Sequence, residues 1–351
     1  LVDDVKSIFH ANLVNDSFED PSVYVDIPWE KRGLLFDLGS NHHLPTRKLL
    51  KVSDVFVTHT HVDHFIGFDH LLRQRLARER PLRIFGPPDI IARVVGKLSG
   101  YTWNLVEDYP FVIKVVEIQE SVVRTVELRA EDAFEPGDIE EDTVETVPLP
   151  ILNDNLFTAD AVLLDHRIPC VAYSITERLH VNIHREALER RGLPVGEWLR
   201  GLKEMVRIGE NDDVLVPIPG HESLPLGDLR SSVVSVCPGQ KIVYVTDVAF
   251  SDWNIDRIVK LADEADIFFC GAPFLERDRK RAQETFHLTS RQAGWLARQA
   301  RARRMEVFHF SPRYEGEAES LVREAEEAYR GESGAVEMDR GMDSMESPAE
   351  Q

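Results

Sequence analysis

Apolar and polar positions alternate first with a short period and then with a helical one. SVYVDI (22–27), GLLFDLG (33–39) and DVFVTH (54–59) read as strands, and FDHLLRQRLAR (68–78) has the spacing of a helix. PLRIFGPP (81–88) gives another strand running into a Gly-Pro-Pro turn, DIIARVVGKLSG (89–100) a helix closed by glycine, and FVIKVVEI (111–118) and VVRTVELRA (122–130) two more strands. The stretch EDAFEPGDIEEDTVE (131–145) breaks the pattern with acidic residues and reads as a solvated loop.

A second half-pattern follows. AVLLDH (161–166) and CVAYSI (170–175) are strands, a polar helical stretch runs to about Asn211, KIVYVTD (241–247) and DIFFCGAPF (266–274) are buried strands, and a helix covers about Thr289 to Arg303. This order predicts an α/β architecture of two mixed sheets with helices outside and a single core, spanning residues 1–330. The turns GLPVGEW and VPIPGHESLPLGD interrupt the periodicity, so residues from about 177 to 239 read as an inserted arm. From 331 to 351 the chain is too polar and Gly/Ser-rich to pack, which predicts a disordered tail.

Composition narrows the class of protein. No apolar run is long enough to span a membrane, and the start LVDDVKSIFH lacks the basic-then-apolar order of a signal peptide. The three cysteines are far apart and form no CxxC, which suits a reducing cytoplasm better than a disulfide framework or a thiolate metal site. A formal charge of −20 disfavours wholesale nucleic-acid binding unless positive charge is gathered locally. It is gathered in two places. Residues 71–83 carry Arg73, Arg75, Arg78, Arg80 and Arg83 against Glu79 alone, and residues 277–304 carry nine basic residues against Asp278 and Glu284. Such stretches either focus an anionic substrate or form solvated helix faces.

The chemistry concentrates in HTHVDH, where His59, His61, Asp63 and His64 follow directly on a strand. On an extended chain His59 and His61 point to one side, while Asp63 and His64 lie where a turn can aim them at a second point. Nitrogen and carboxylate ligands suit zinc or manganese, and two such ions together activate water and stabilise a leaving oxygen. The other histidines, His10, His42, His43, His70, His180, His184 and His221, read as ordinary surface or core residues, with His42 and His43 nearest the cluster. Trp103 and Trp295 read as core.

HxHxDH after a strand resembles the metallo-β-lactamase superfamily, and LLDHRIPCVAY, YVTD and FHFSPRY resemble its later motifs in order. The resemblance implies a four-layer αβ/βα sandwich with an inserted arm. It also implies His59, His61 and His166 on one ion, Asp63, His64 and His309 on the other, and Asp247 between them, with a bridging hydroxide as nucleophile. Within the superfamily HRIPCVAY, HLTS and HFSPRY are most similar to the ribonuclease Z group, which cuts the 3′ trailer from tRNA precursors. That likeness implies two zinc ions, with manganese as an alternative, a tRNA precursor as substrate, and a homodimer. His287 becomes a proton donor to the leaving oxygen, Asp63 a ligand and base or water orienter, and Arg291 and Arg313 candidate contacts to substrate phosphate. Residues 181–241 resemble the arm that grips the tRNA elbow.

Several positions depart from the group's pattern. Gly271 stands where a glutamate supports the His287 equivalent, Val62 replaces a glycine, VTDV replaces SGDT, and the arm lacks a long lysine-rich tip. The N-terminal phosphate-end loop is unrecognisable near NDSFEDPSVY. Two rivals therefore stand beside tRNA processing. One is hydrolysis of a small-molecule phosphodiester, sulfate ester or carboxylic ester. The other is a metal-binding module without turnover.

Overall fold

The computed structural model describes residues 8–332, so the tail expected at 331–351 lies, from Ser333 onward, outside the described residues. The chain forms two compact units.

The larger unit takes in Phe9–Asn153, Ala159–Ile175 and the chain from Lys241. It holds an eight-stranded and a six-stranded sheet. In the first sheet His10–Leu13, Val23–Ile27 and Arg32–Phe36 are antiparallel neighbours. Val52–Phe56, Leu82–Gly86 and Val112–Ile118 then add in parallel. Val122–Arg129 closes the set antiparallel. The acidic connector does more than loop, because its residues Glu140–Thr143 pair with Val122–Thr125 as an edge strand. All four of these side chains are exposed, which leaves a charged edge that resists pairing with another chain.

In the second sheet Lys241–Val245, Ile267–Gly271 and Met305–Phe308 are parallel, with Pro169–Glu177, Phe157–Asp165 and Leu149–Asn153 completing the order. Parallel strands need both faces covered, and their apolar runs are buried throughout. Helices Asp252–Ala262, Ser290–Gln299 and Ala318–Arg330 supply Ile258, Leu261, Ala293, Leu296, Leu321 and Ala325 to one core cluster with this sheet. Helices Phe68–Arg75 and Ile90–Ser99 supply Phe68, Leu71, Ile90 and Val94 to another with the first sheet.

Between the sheets runs a column of stacked rings. Phe85 lies 5.0 Å from Phe56, Phe56 5.1 Å from Phe36, Phe36 5.2 Å from Tyr244, and Tyr244 5.4 Å from Phe308. Each such pair contributes about 0.5–1.5 kcal/mol beyond its buried area. The alternation of side chains along each strand is what brings one aromatic per strand to this face. The strand ends next to this column carry the histidines and carboxylates described below.

The smaller unit comprises Asp154–Thr158 and Thr176–Gln240. It has its own core of Val181, Leu188, Leu202, Val206, Leu226 and Leu229, around the antiparallel pair His180–Ile183 and Val234–Cys237. The chain enters and leaves it at a close crossing, where a Cβ on Gly239 would sit 2.0 Å from the Glu177 carbonyl. Only glycine permits that approach.

Candidate metal centre

The strand Val52–Phe56 continues as extended chain, with Val57 donating to Phe85 O at 2.8 Å, and so delivers His59 fully buried. His61 then caps the short helix Val62–Phe65, whose first turn presents Asp63 and His64. The helix is pinned from behind, since Leu38 donates to His64 O and Gly67 to Leu38 O, both at 2.8 Å. A Cβ on Gly67 would meet the Gly39 carbonyl at 2.2 Å, so this seat for the cluster requires glycine.

Three more strand ends converge on the same place. His166 follows Phe157–Asp165, Asp247 follows Lys241–Val245, and His309 follows Met305–Phe308. The Asn254 side chain ties the first two together. Its amide oxygen accepts from Asp165 N at 2.9 Å, and its amide nitrogen donates to the carbonyls of Asp165 and Ala249 at 2.8 Å. His287 enters after helix Arg279–Glu284. Asp37, Arg167, Phe286 and His309 all have positive φ, a conformation that costs a non-glycine residue and persists only where surrounding contacts hold it.

The ligand atoms of His59, His61, His166 and Asp247 lie within 4.8 Å of one another, and so do those of Asp63, His64 and His309. The motifs implied the same seven residues, with Asp247 shared between the two groups. Asp247 Oδ2 stands between them, 3.3 Å from His64 Nε2, 3.4 Å from His309 Nε2, 3.5 Å from His287 Nε2 and 3.9 Å from His59 Nε2. Asp63 Oδ2 is 3.6 Å from His64 Nε2 and 3.5 Å from His309 Nε2.

These donors suit a cation and suit one another poorly. His59 Nε2 and His61 Nδ1 face each other at 2.9 Å. The buried His64 Nε2 and Asp247 Oδ1 have no hydrogen-bond partner among the described residues. Buried polar atoms are rarely left so, and converging imidazole and carboxylate lone pairs are satisfied by a divalent metal ion. Electrostatics point the same way. Burial and the neighbouring His64 push the His59 pKa far down, and burial lowers that of His166, which favours the neutral rings a metal ion needs. Burial alone would raise the Asp247 pKa, but His309, His287 and His64 hold its carboxyl well below the usual range.

Behind the ligands lies a buried support that the sequence reading did not single out. Asp37 accepts from Thr58 N at 2.7 Å, from Thr58 Oγ1 at 2.9 Å, from Tyr244 OH at 3.0 Å and from His64 Nδ1 at 2.8 Å. That last bond fixes the His64 tautomer and aims Nε2 at the cluster. Burial pulls the His64 pKa down, but Asp37 and Asp247 outweigh it and lift it to about 10, so a cation is favoured at this ring and a divalent ion would take the place of the Nε2 proton. His166 is oriented similarly by Phe286 O, 2.8 Å from its Nδ1. The available signal for Asp37 was an acid at the end of a buried apolar run, GLLFD.

His287 reaches the cluster, its ring 4.8 Å from that of His166. Its Nδ1 is buried without a hydrogen-bond partner, in keeping with Gly271 in place of a glutamate. A side chain at Gly271 would be crowded, its Cβ 3.2 Å from the Thr246 backbone.

In the basic stretches several arginines have fixed partners. Arg75 is buried and donates to Leu50 O at 2.7 Å, and Arg83 is paired with the buried Asp54. Arg277, Arg303 and Arg304 pair with Glu317, Asp266 and Glu306 at 2.9, 2.7 and 2.6 Å. In the second stretch part of the charge excess read along the sequence is thus balanced by acids, some of them distant in the chain. Arg291 sits beside Glu324, and the exposed Arg313 lies 4.0 Å from Asp278 and over the Phe274 ring. Of the remaining histidines, His42 stacks on His70, which bonds Asn41, and the buried His180 pairs with Glu177. Trp103 bonds Leu98 O and packs on Phe134.

No family model matches the chain. It is 29% identical to ribonuclease Z of Deinococcus radiodurans over 297 residues, covering 84% of this chain and 87% of that one. It is 30% identical to ribonuclease Z of Thermobifida fusca over 312 residues, covering 87% and 83%. The chain belongs to the ribonuclease Z family. Among solved structures it is similar to the metallo-β-lactamase fold protein YhfI of Bacillus subtilis, with 16% identity, a TM-score of 0.52, and coverage of 92% and 93%. The fold is thus the metallo-β-lactamase fold expected from the motifs. Among the described residues no helix is long and apolar enough to cross a membrane, and Cys170, Cys237 and Cys270 are free thiols.

Proposed function

We propose that the chain is a metal-dependent endoribonuclease that hydrolyses the phosphodiester joining a 3′ trailer to a tRNA precursor. The observation that carries this reading is the pair of ligand groups meeting at Asp247 with His287 against them, in a chain of the ribonuclease Z family. His59, His61 and His166 would hold one divalent ion, Asp63, His64 and His309 a second, with Asp247 shared. The donor set favours zinc, with manganese as the alternative. Two such ions neutralise phosphoryl charge and acidify the attacking water.

The chain's own groups supply the rest. Asp63, partly exposed, is placed to orient the water and take its proton. His287 Nε2 is placed to give a proton to the departing 3′ oxygen, so that the P–O3′ bond breaks as the new P–O bond forms. Arg313 and Arg291 remain candidates for holding the flanking backbone. The inserted unit of 176–240 is the proposed grip on the distal part of the RNA. A cytoplasmic location, which the free thiols suit, and a homodimer complete the reading.

A second reading, hydrolysis of a small phosphodiester, is favoured by one observation, the unpartnered Nδ1 of His287 beside a family position occupied by Gly271. Both are tested together. Zinc-loaded and manganese-loaded protein is offered a 3′-extended tRNA precursor and bis(p-nitrophenyl) phosphate, with Asp63→Ala as control. Cleavage of the precursor, lost in the variant, supports the first reading. Turnover of the small diester alone supports the second.

A further inference from the structure

Arg167 follows directly on the ligand His166, is exposed, and among the described residues forms no ion pair. Its place is nonetheless tightly built. The Asp165 carboxylate accepts from Arg167 N at 2.7 Å, a local turn that holds the residue at φ 62°. The guanidinium carbon lies 5.7 Å from the centre of the Phe286 ring, within cation–π range. Phe286 itself has φ 59°, and its carbonyl accepts from His166 Nδ1. Two left-handed residues, one after a ligand and one before the proton donor, thus lean together so that a free cation stands over an aromatic face beside both. Strain of this kind persists where other contacts over-determine it, and here it serves no packing need of the exposed guanidinium.

We propose that Arg167 binds the substrate, its guanidinium clamping a non-bridging oxygen of the phosphate that adjoins the scissile one. The inference rests on the proposed ribonuclease reading. On that reading His166 would hold one of the ions that meet the reacting phosphate and His287 would face the leaving oxygen, and Arg167 is the cation at the junction of their two loops. A planar fork pre-positioned by Phe286 suits phosphate, and lysine would keep the charge while losing the stacking and the bidentate contact. Arg167 is a positioning residue, and its contribution belongs to binding a polynucleotide rather than to bond cleavage.

The test compares wild type, Arg167→Ala and Arg167→Lys as zinc-loaded full chains, on a 3′-extended tRNA precursor and on bis(p-nitrophenyl) phosphate, which has no adjoining phosphate. For Arg167→Ala the ratio of kcat/KM on RNA to that on the small diester should fall about tenfold, through KM more than kcat, and Arg167→Lys should recover part of it. The slope of log(kcat/KM) for RNA against log[salt] should become shallower by about 0.7, one phosphate contact on a single strand. Wild-type levels of both ratio and slope in Arg167→Ala would overturn this inference alone. Equal losses on both substrates would also overturn it, by placing Arg167 at the reacting phosphate or in the fold. A wild-type enzyme that cuts the small diester and no RNA would overturn the ribonuclease reading itself.

Discussion

His64 Nδ1 lies 2.8 Å from a carboxylate oxygen of Asp37, and both side chains are completely withdrawn from solvent. The pair joins a metal-facing imidazole to the second residue of the first sheet's FDLG turn, so the ring cannot rotate without breaking a buried, charge-assisted bond. Asp37→Asn keeps the volume and removes the charge. Its expected effect is a loss of metal affinity of about 10–100-fold. Chelator competition measures this, and an unchanged dissociation constant would show that Asp37 is not a support of the ligand.

Tyr244 reaches Asp37 from the second sheet while its ring remains in the aromatic column. Tyr244→Phe removes one hydrogen bond to a buried carboxylate and leaves the stacking intact. It should lower unfolding free energy by about 1.5–3 kcal/mol, the range for a bond to a charged group. Denaturant titration of the metal-free protein reads this directly, and a neutral or stabilising change would contradict it.

Gly67 allows the cluster's helix to close on the 37–41 turn, with its Cβ position 2.2 Å from Gly39 O. Gly67→Ala forces backbone apart and should cost about 1–3 kcal/mol by overpacking. Because the same contact seats His64 and Asp63, metal uptake should weaken along with thermal stability. A variant with wild-type Tm and metal content would refute the role given to this approach.

His287 faces Asp247 and is absent from both ligand groups. His287→Ala should therefore lower kcat by about 10²–10⁴-fold, the usual contribution of a positioned acid, with metal content retained. Loss of metal in this variant would assign it to the ligand shell instead.

The periodic segments were legible because each buries one face. The strands KIVYV and IFFCG and the helices 90–99 and 290–299 appear within a few residues of where apolar spacing put them. The seven candidate ligands were legible because converging chemistry leaves a dense local signature, His59 to His64, and the later motifs then point in order to His166, Asp247 and His309. Asp37, Asn254 and Arg167 were not. Their roles depend on partners 27, 89 and 119 residues away, or on which arginine goes unpaired, and neither is written in local spacing. The basic stretches show the same limit, since the partners of Arg277 and Arg303, Glu317 and Asp266, are not evident from spacing along the chain. The edge strand at 140–143 has no apolar alternation to announce it, because both its faces are wet.

The central claim concerns which bond breaks and which group receives the proton, and the ends of the products report both. A 3′-extended tRNA precursor is cleaved by the zinc-loaded protein and its fragments are analysed for end groups. Attack by water with protonation of O3′ by His287 predicts a cut at the trailer junction, a 3′-hydroxyl on the tRNA and a 5′-phosphate on the trailer, all abolished by Asp63→Ala. A 2′,3′-cyclic phosphate, or a precursor left intact, would contradict the account.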